Sequence, residues 1–98
     1  MKRFILIVGD DVPVAQRDSF TKWLKEGPGT GVGFWHWFQQ SWLLTDPLDR
    51  SFEYWQGAVT EQFGQKSWIL QEVAAAGPYT GFAPTAATDW FKGNWFQV

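Results

Sequence analysis

Residues 32–45 read VGFWHWFQQSWLLT, and the way this stretch divides decides the fold. It contains two short apolar runs, residues 32–38 and 41–45, split by Gln39-Gln40. Short runs rich in aromatic and branched side chains read as strands, and the break between them as a hairpin turn, although Gln-Gln is a weak turn pair. Within it, residues 33–42 hold three tryptophans, two phenylalanines and the chain's one histidine, so the hairpin is also the densest chemistry in the chain.

Working outward from the hairpin, Phe4 to Val8 (FILIV) is apolar at every position and bounded by Gly9-Asp10-Asp11, as a buried central strand should be. A helix follows, with Pro13 near its first turn, Asp11 as a candidate cap, and Phe20, Trp23 and Leu24 at i, i+3, i+4. It stops at Gly27. The connector GPGTGVG carries four glycines but lacks the Lys-Ser/Thr of a phosphate-binding loop, and it leads into a strand. It reads as a mobile connector or lid.

Downstream of the hairpin, Asp46-Pro47 ends the second strand and Asp49 is placed to cap a second helix. Phe52, Trp55, Val59 and Phe63 fit the helical period, and Gly64 lies just past the end. Residues 67–73 form the last clear strand. The order β-α-β-β-α-β is the split arrangement called ferredoxin-like, an α+β fold. It predicts a four-stranded antiparallel sheet in the order 4-1-3-2 with both helices on one face. Residues 1–98 form one domain, with a core of about 1–73 and an extension of about 74–98. In that extension, Tyr79 to Phe82 suggest a short strand and Thr85 to Lys92 a short helix presenting Trp90 and Phe91, followed by Trp95-Phe96.

Composition supports a packed domain. Hydrophobic residues make up 45% of the 98, and aromatics 19%, including eight Trp. Large aromatics bury much area each, so a short chain can build a core from few of them. The net charge is −2 and the longest basic run is Lys2-Arg3, which gives no support to duplex nucleic-acid binding. Arg17, Lys22, Lys25, Arg50 and Lys66 read as solvated charges. Cysteine is absent, which excludes disulfides and thiolate chemistry. FILIV is too short for a signal core or a membrane span, so the expected location is cytoplasmic.

The fold leaves one sheet face without helices, and a solvated face would be polar at every second position. These strands are not. Phe4, Leu6 and Val8 alternate with Ile5 and Ile7; Phe34, His36 and Phe38 with Trp35 and Trp37; Trp42 and Leu44 with Leu43 and Thr45; Trp68 and Leu70 with Ile69 and Val73. Whichever set meets the helices, the other needs a cover. The C-terminal segment can supply part of it and a second copy of the chain the rest, so a homodimer or larger assembly is expected.

FILIVGD, WHWFQQSWLLT, SWILQEV and YTGFAPTAATDWFK together resemble the small SinR-like proteins of bacterial and phage genomes. Those are similar in turn to the ferredoxin-like CRISPR-associated subunit that forms the central dimer of the spacer-integration complex. The resemblance covers nearly the whole chain. It implies a ferredoxin-like homodimer whose C-terminal segment reaches the partner's sheet. It also implies a role for Asp10, since an acidic residue at that place in the CRISPR-associated proteins is the metal-binding carboxylate, set near its twin across the dimer axis. Two such groups holding Mg²⁺ would activate water against a phosphodiester. The residues themselves favour the plainer reading of Asp10 and Asp11 as a turn and a cap.

His36 is open to two readings, a polar contact in an aromatic pocket or a histidine satisfied in a core or interface. With no second His and no Cys, the sequence gives an imidazole-based metal site no support. Trp23 and Trp55 fall at helical core positions, whereas Trp35, Trp37, Trp42 and Trp68 lie on strands. Those facing away from the helices line either a dry interface or a ligand pocket between subunits.

The reading that joins these points is a non-enzymatic, homo-oligomeric binding protein. Its inter-subunit pockets, lined by Trp35, His36, Trp37, Trp42 and Trp68, would hold a nucleotide-type ligand without a cofactor. One concrete version is a phage anti-defence protein that sequesters a host immune nucleotide signal. The alternatives are a metal-dependent nuclease built on Asp10 with Mg²⁺, and a protein–protein interaction module.

Overall fold

The computed structural model describes residues 1–27, 31–74 and 84–95. They form an α+β unit: β1 (Lys2–Val8), α1 (Val14–Glu26), β2 (Gly33–Trp35), β3 (Ser41–Asp46), α2 (Phe52–Phe63), β4 (Trp68–Val73) and α3 (Thr85–Trp90), which runs into a π-helical turn (Phe91–Trp95). The four strands make one antiparallel sheet, ordered β2-β3-β1-β4. The strand expected around Tyr79 to Phe82, the middle of the GPGTGVG connector and Phe96 lie outside the described residues.

The strand alternation sorts the side chains. Phe4, Leu6, Val8, Trp42 and Leu44 are buried against Phe20 and Leu24 of α1 and Trp55, Val59 and Phe63 of α2, so both helices cover the same sheet face. Rings carry much of this core. Phe20 meets Trp42 edge to face at 5.2 Å, Phe63 sits 5.2 Å from Phe20, and Trp23 stands edge-on to Trp55 at 6.0 Å. Such offset and edge contacts suit the ring quadrupoles and add to the area that each ring buries.

Several expected boundaries and caps move. β2 ends at Trp35 instead of reaching residue 38. His36 turns away to bond the Ser41 carbonyl through Nδ1 (2.8 Å) and to stack on Trp42 (4.2 Å, 7°). The Gln40 carbonyl accepts from Val8 N–H (2.9 Å), one rung beyond the Ile7–Ser41 pair, and Ser41 N–H returns to the Phe38 carbonyl (3.3 Å), so the chain turns just before Gln40. Asp11 does not cap α1, whose N-cap is Pro13; its carboxylate accepts from the Ser67 N–H and hydroxyl instead and ties β1's exit to β4's entry. Ser51, not Asp49, caps α2, accepting from Tyr54 N–H at 3.1 Å. Gly64 ends α2 at φ +61°, a conformation that favours glycine. The C-terminal helix closes at Trp90, and a π turn takes the chain on to Trp95.

Arg50 is not a solvated charge. Its guanidinium pairs with the fully buried Asp46 carboxylate (Nε–Oδ2 3.1 Å) and lies over the Tyr54 ring at 5.1 Å. The same carboxylate accepts from Leu48 N–H, Arg50 N–H and Trp55 Nε1–H (2.9 Å). One side chain thus turns the chain after β3 and anchors the start of α2.

Candidate functional site

The second sheet face presents Ile5, Ile7, Trp35, Leu43, Thr45, Ile69 and Val73, the alternates of the core positions. α3 and its π turn cover one end of it. Trp35 is 6% exposed, donates its indole N–H to the Ala87 carbonyl (2.9 Å), and meets Phe91 edge-on at 6.1 Å. Arg3 Nε–H donates to the Trp95 carbonyl at 2.6 Å. The fit is close enough to explain Gly33: a Cβ there would stand 2.5 Å from Thr45 Oγ1 and 3.0 Å from Asn94 Oδ1. The C-terminal segment therefore supplies part of the cover.

The other end stays open. Ile7 is 49% exposed, Ile69 65%, Trp37 49% and Phe38 57%. Ile7 and Ile69 are directly paired across β1 and β4. Ile7 also shares with Trp37, Phe38, Gln39, Gln40 and Ser41 the walls of a shallow, open groove. The four apolar side chains make one patch, and a contiguous exposed patch of this kind marks a contact surface far more often than scattered apolar residues do.

The turn that carries Trp37 and Phe38 is held from several directions. Arg17 Nη1 donates to the Gln39 carbonyl at 3.0 Å, and Gln40 Nε2 to Asp10 Oδ1 at 2.5 Å. Ser41 N–H closes back on the Phe38 carbonyl at 3.3 Å, and Phe38 packs edge-on against buried Trp35 at 4.8 Å. α1, the exit of β1 and β3 all fix it. Aromatic side chains on a turn so bonded lose little conformational freedom when something docks on them.

The five residues expected to line one pocket do not converge in a single chain. Trp42 is fully buried on the helix side, with Nε1–H on Thr21 Oγ1 (3.1 Å), and Trp35 is under α3. Trp68 is half-buried on the helix side, with Nε1–H on the Gly64 carbonyl (3.2 Å). His36 is half-buried over Trp42; because a carbonyl only accepts, its bond to Ser41 places the hydrogen on Nδ1. Of the five, Trp37 alone is exposed, at 49%. Sequence reading missed Ile7, Phe38, Gln39 and Gln40 as its neighbours. The adjacency Trp37-Phe38-Gln39-Gln40 was the available signal, hidden while residues 36–38 read as strand.

Asp10 and Asp11 are hydrogen-bonded to neighbouring elements of the chain. Asp10 Oδ1 is taken by Gln40 and both Asp11 oxygens by Ser67. Among the described residues no three His, Asp or Glu side chains cluster as metal ligands, and no helix is long and apolar enough to cross a membrane. No protein-family profile matches the chain, and neither does any curated protein or solved structure.

Proposed function

We propose that the chain is a non-enzymatic, self-associating binding protein of ferredoxin-like fold, whose open sheet end holds a flat, polar, nucleotide-type ligand. The observation that carries this reading is the rigid turn presenting Trp37 and Phe38 beside Ile7, with the amide side chains of Gln39 and Gln40 at the same groove. A free indole face stacks on any base, a contact worth roughly 1–3 kcal/mol. Side-chain amides carry both a donor and acceptors, the groups that base edges require. Arg17, already bonded to the Gln39 carbonyl, puts a cation beside the groove for a phosphate in an otherwise acidic chain. The ferredoxin-like reading is supported by the strand order and by both helices sharing one sheet face. The resemblance to phage-borne SinR-like proteins narrows the ligand further, to a nucleotide signal of host defence held by sequestration.

Isothermal calorimetry against a panel of mono-, di- and cyclic nucleotides tests this reading. Binding is expected for at least one member, and Trp37→Ala is expected to weaken it about tenfold, the loss of one stacked base. Silence across the panel, or affinity unchanged in Trp37→Ala, overturns it.

A further inference from the structure

β4 forms one edge of the sheet, paired with β1 on one side, and among the described residues no strand lies along its other side. The hydrogen-bond phase of that edge follows from one contact. Gly9 N–H donates to the Ser67 carbonyl at 2.9 Å, which makes Gly9 and Ser67 a hydrogen-bonded pair. Antiparallel ladders alternate, so Ile7–Ile69, Ile5–Gln71 and Arg3–Val73 are bonded pairs as well. The N–H and C=O groups of Trp68, Leu70 and Glu72 therefore point away from β1, along the outer edge.

Edge strands of soluble proteins are usually blunted by proline, a central lysine, a bulge or very short length. β4 has no proline, lysine or bulge, and its one charge is Glu72: six residues, WILQEV, pair with β1 in unbroken register. Its flanking charges are also arranged asymmetrically, with exposed Lys66 just before the strand and exposed Glu72 near its end. In an antiparallel pairing of two such edges, each lysine comes alongside a glutamate. A parallel pairing would set like beside like.

We propose that two copies of the chain associate by antiparallel pairing of their β4 edges about a two-fold axis at Leu70, joining their sheets into one. Centred there, Trp68, Leu70 and Glu72 of each copy use all their outward groups. Glu72 falls opposite the partner's Trp68, and the partner's Lys66 stands two residues before that Trp68, at the same end of the seam. The axis runs through the sheet, so both open faces end up on the same side. The Ile7–Ile69 pairs then flank the axis, and the two Trp37 grooves lie on one surface. The pairing rests on the self-association in the reading above and not on the identity of the ligand.

Sedimentation equilibrium of the full chain, with melting curves alongside, tests the pairing. The wild-type chain is expected to be a dimer. Glu72→Pro removes one outward N–H and no ladder bond to β1, so it is expected to stay folded and become monomeric. Glu72→Lys sets two lysines together at each end and is expected to weaken the dimer severalfold, and adding Lys66→Glu is expected to restore it. The charge pair decides the matter even if the proline variant does not fold. A wild-type monomer at high micromolar concentration overturns the pairing. So does a Glu72→Pro dimer of wild-type affinity, or a Glu72→Lys dimer that Lys66→Glu does not strengthen. Nucleotide titration of the same samples separates the two readings, because a dimer that binds no nucleotide fails the ligand and keeps the edge.

Discussion

Asp46 shows how much one side chain can decide. It is a fully buried carboxylate, stable there because Arg50 supplies the counter-charge and three N–H groups occupy its oxygens. Removing one partner of such a pair leaves the other polar groups unsatisfied, so Asp46→Ala is expected to cost about 3–5 kcal/mol in urea denaturation. Asp46→Asn, which keeps acceptor capacity, should cost clearly less, and an alanine variant within about 1 kcal/mol of wild type would remove the network from the account of stability. In the sequence, Asp46-Pro47 was legible as a strand stop, and the Asp-to-Arg spacing of four was present in 46–50. Nothing local, however, says that the carboxylate points inward. That depends on Trp55 arriving from α2.

At the level of elements, the helices were the most legible part. The stripes Phe20, Trp23, Leu24 and Phe52, Trp55, Val59, Phe63 are periodic, and the side chains on those stripes pack into the core. Their caps were less so, because several polar residues near each start compete and the choice depends on backbone direction. Ser51 caps α2, and Ser51→Ala is expected to lower stability by about 1 kcal/mol, whereas Asp49→Asn, which suits that residue's φ of +52° and gives up only an exposed ion pair to the Met1 amino group, is expected to cost clearly less; thermal melts of the two variants compare them. α3 depends on tertiary contacts rather than on its own length, since six residues do not hold a helix in water. Trp35→Ala removes its main anchor, the indole bonded to the Ala87 carbonyl and packed on Phe91. Hydrogen exchange at residues 85–95 is expected to rise about tenfold or more in this variant, while β1 and β3 keep their protection. Loss of protection throughout the chain instead would mean that α3 is part of the global unit.

For the whole molecule, the governing fact is a sheet with helices on one face and apolar side chains on both. α3 and the π turn cover Trp35's end and leave Ile7, Ile69, Trp37 and Phe38 exposed. The double variant Ile7→Thr/Ile69→Thr keeps β propensity and removes apolar surface that the single chain does not bury. It is expected to bind less of the dye ANS and to melt within about 1 kcal/mol of wild type. A large loss of stability would show that these side chains are buried after all.

The alternation along each strand determined by itself that both sheet faces would be apolar, because side chains two apart share a face whatever the rest of the chain does. The periodic stripes fixed the two long helices for the same local reason. Only the tertiary structure decided where β2 ends, since His36 leaves the strand to stack on Trp42 and Ser41 N–H closes back on the Phe38 carbonyl. It alone decided which tryptophans are spent in packing and which one is free. Trp35, Trp42 and Trp37 are chemically identical in the sequence, and they differ in what the fold lays over each of them: α3 on the first, two helices on the second, and nothing among the described residues over much of the third.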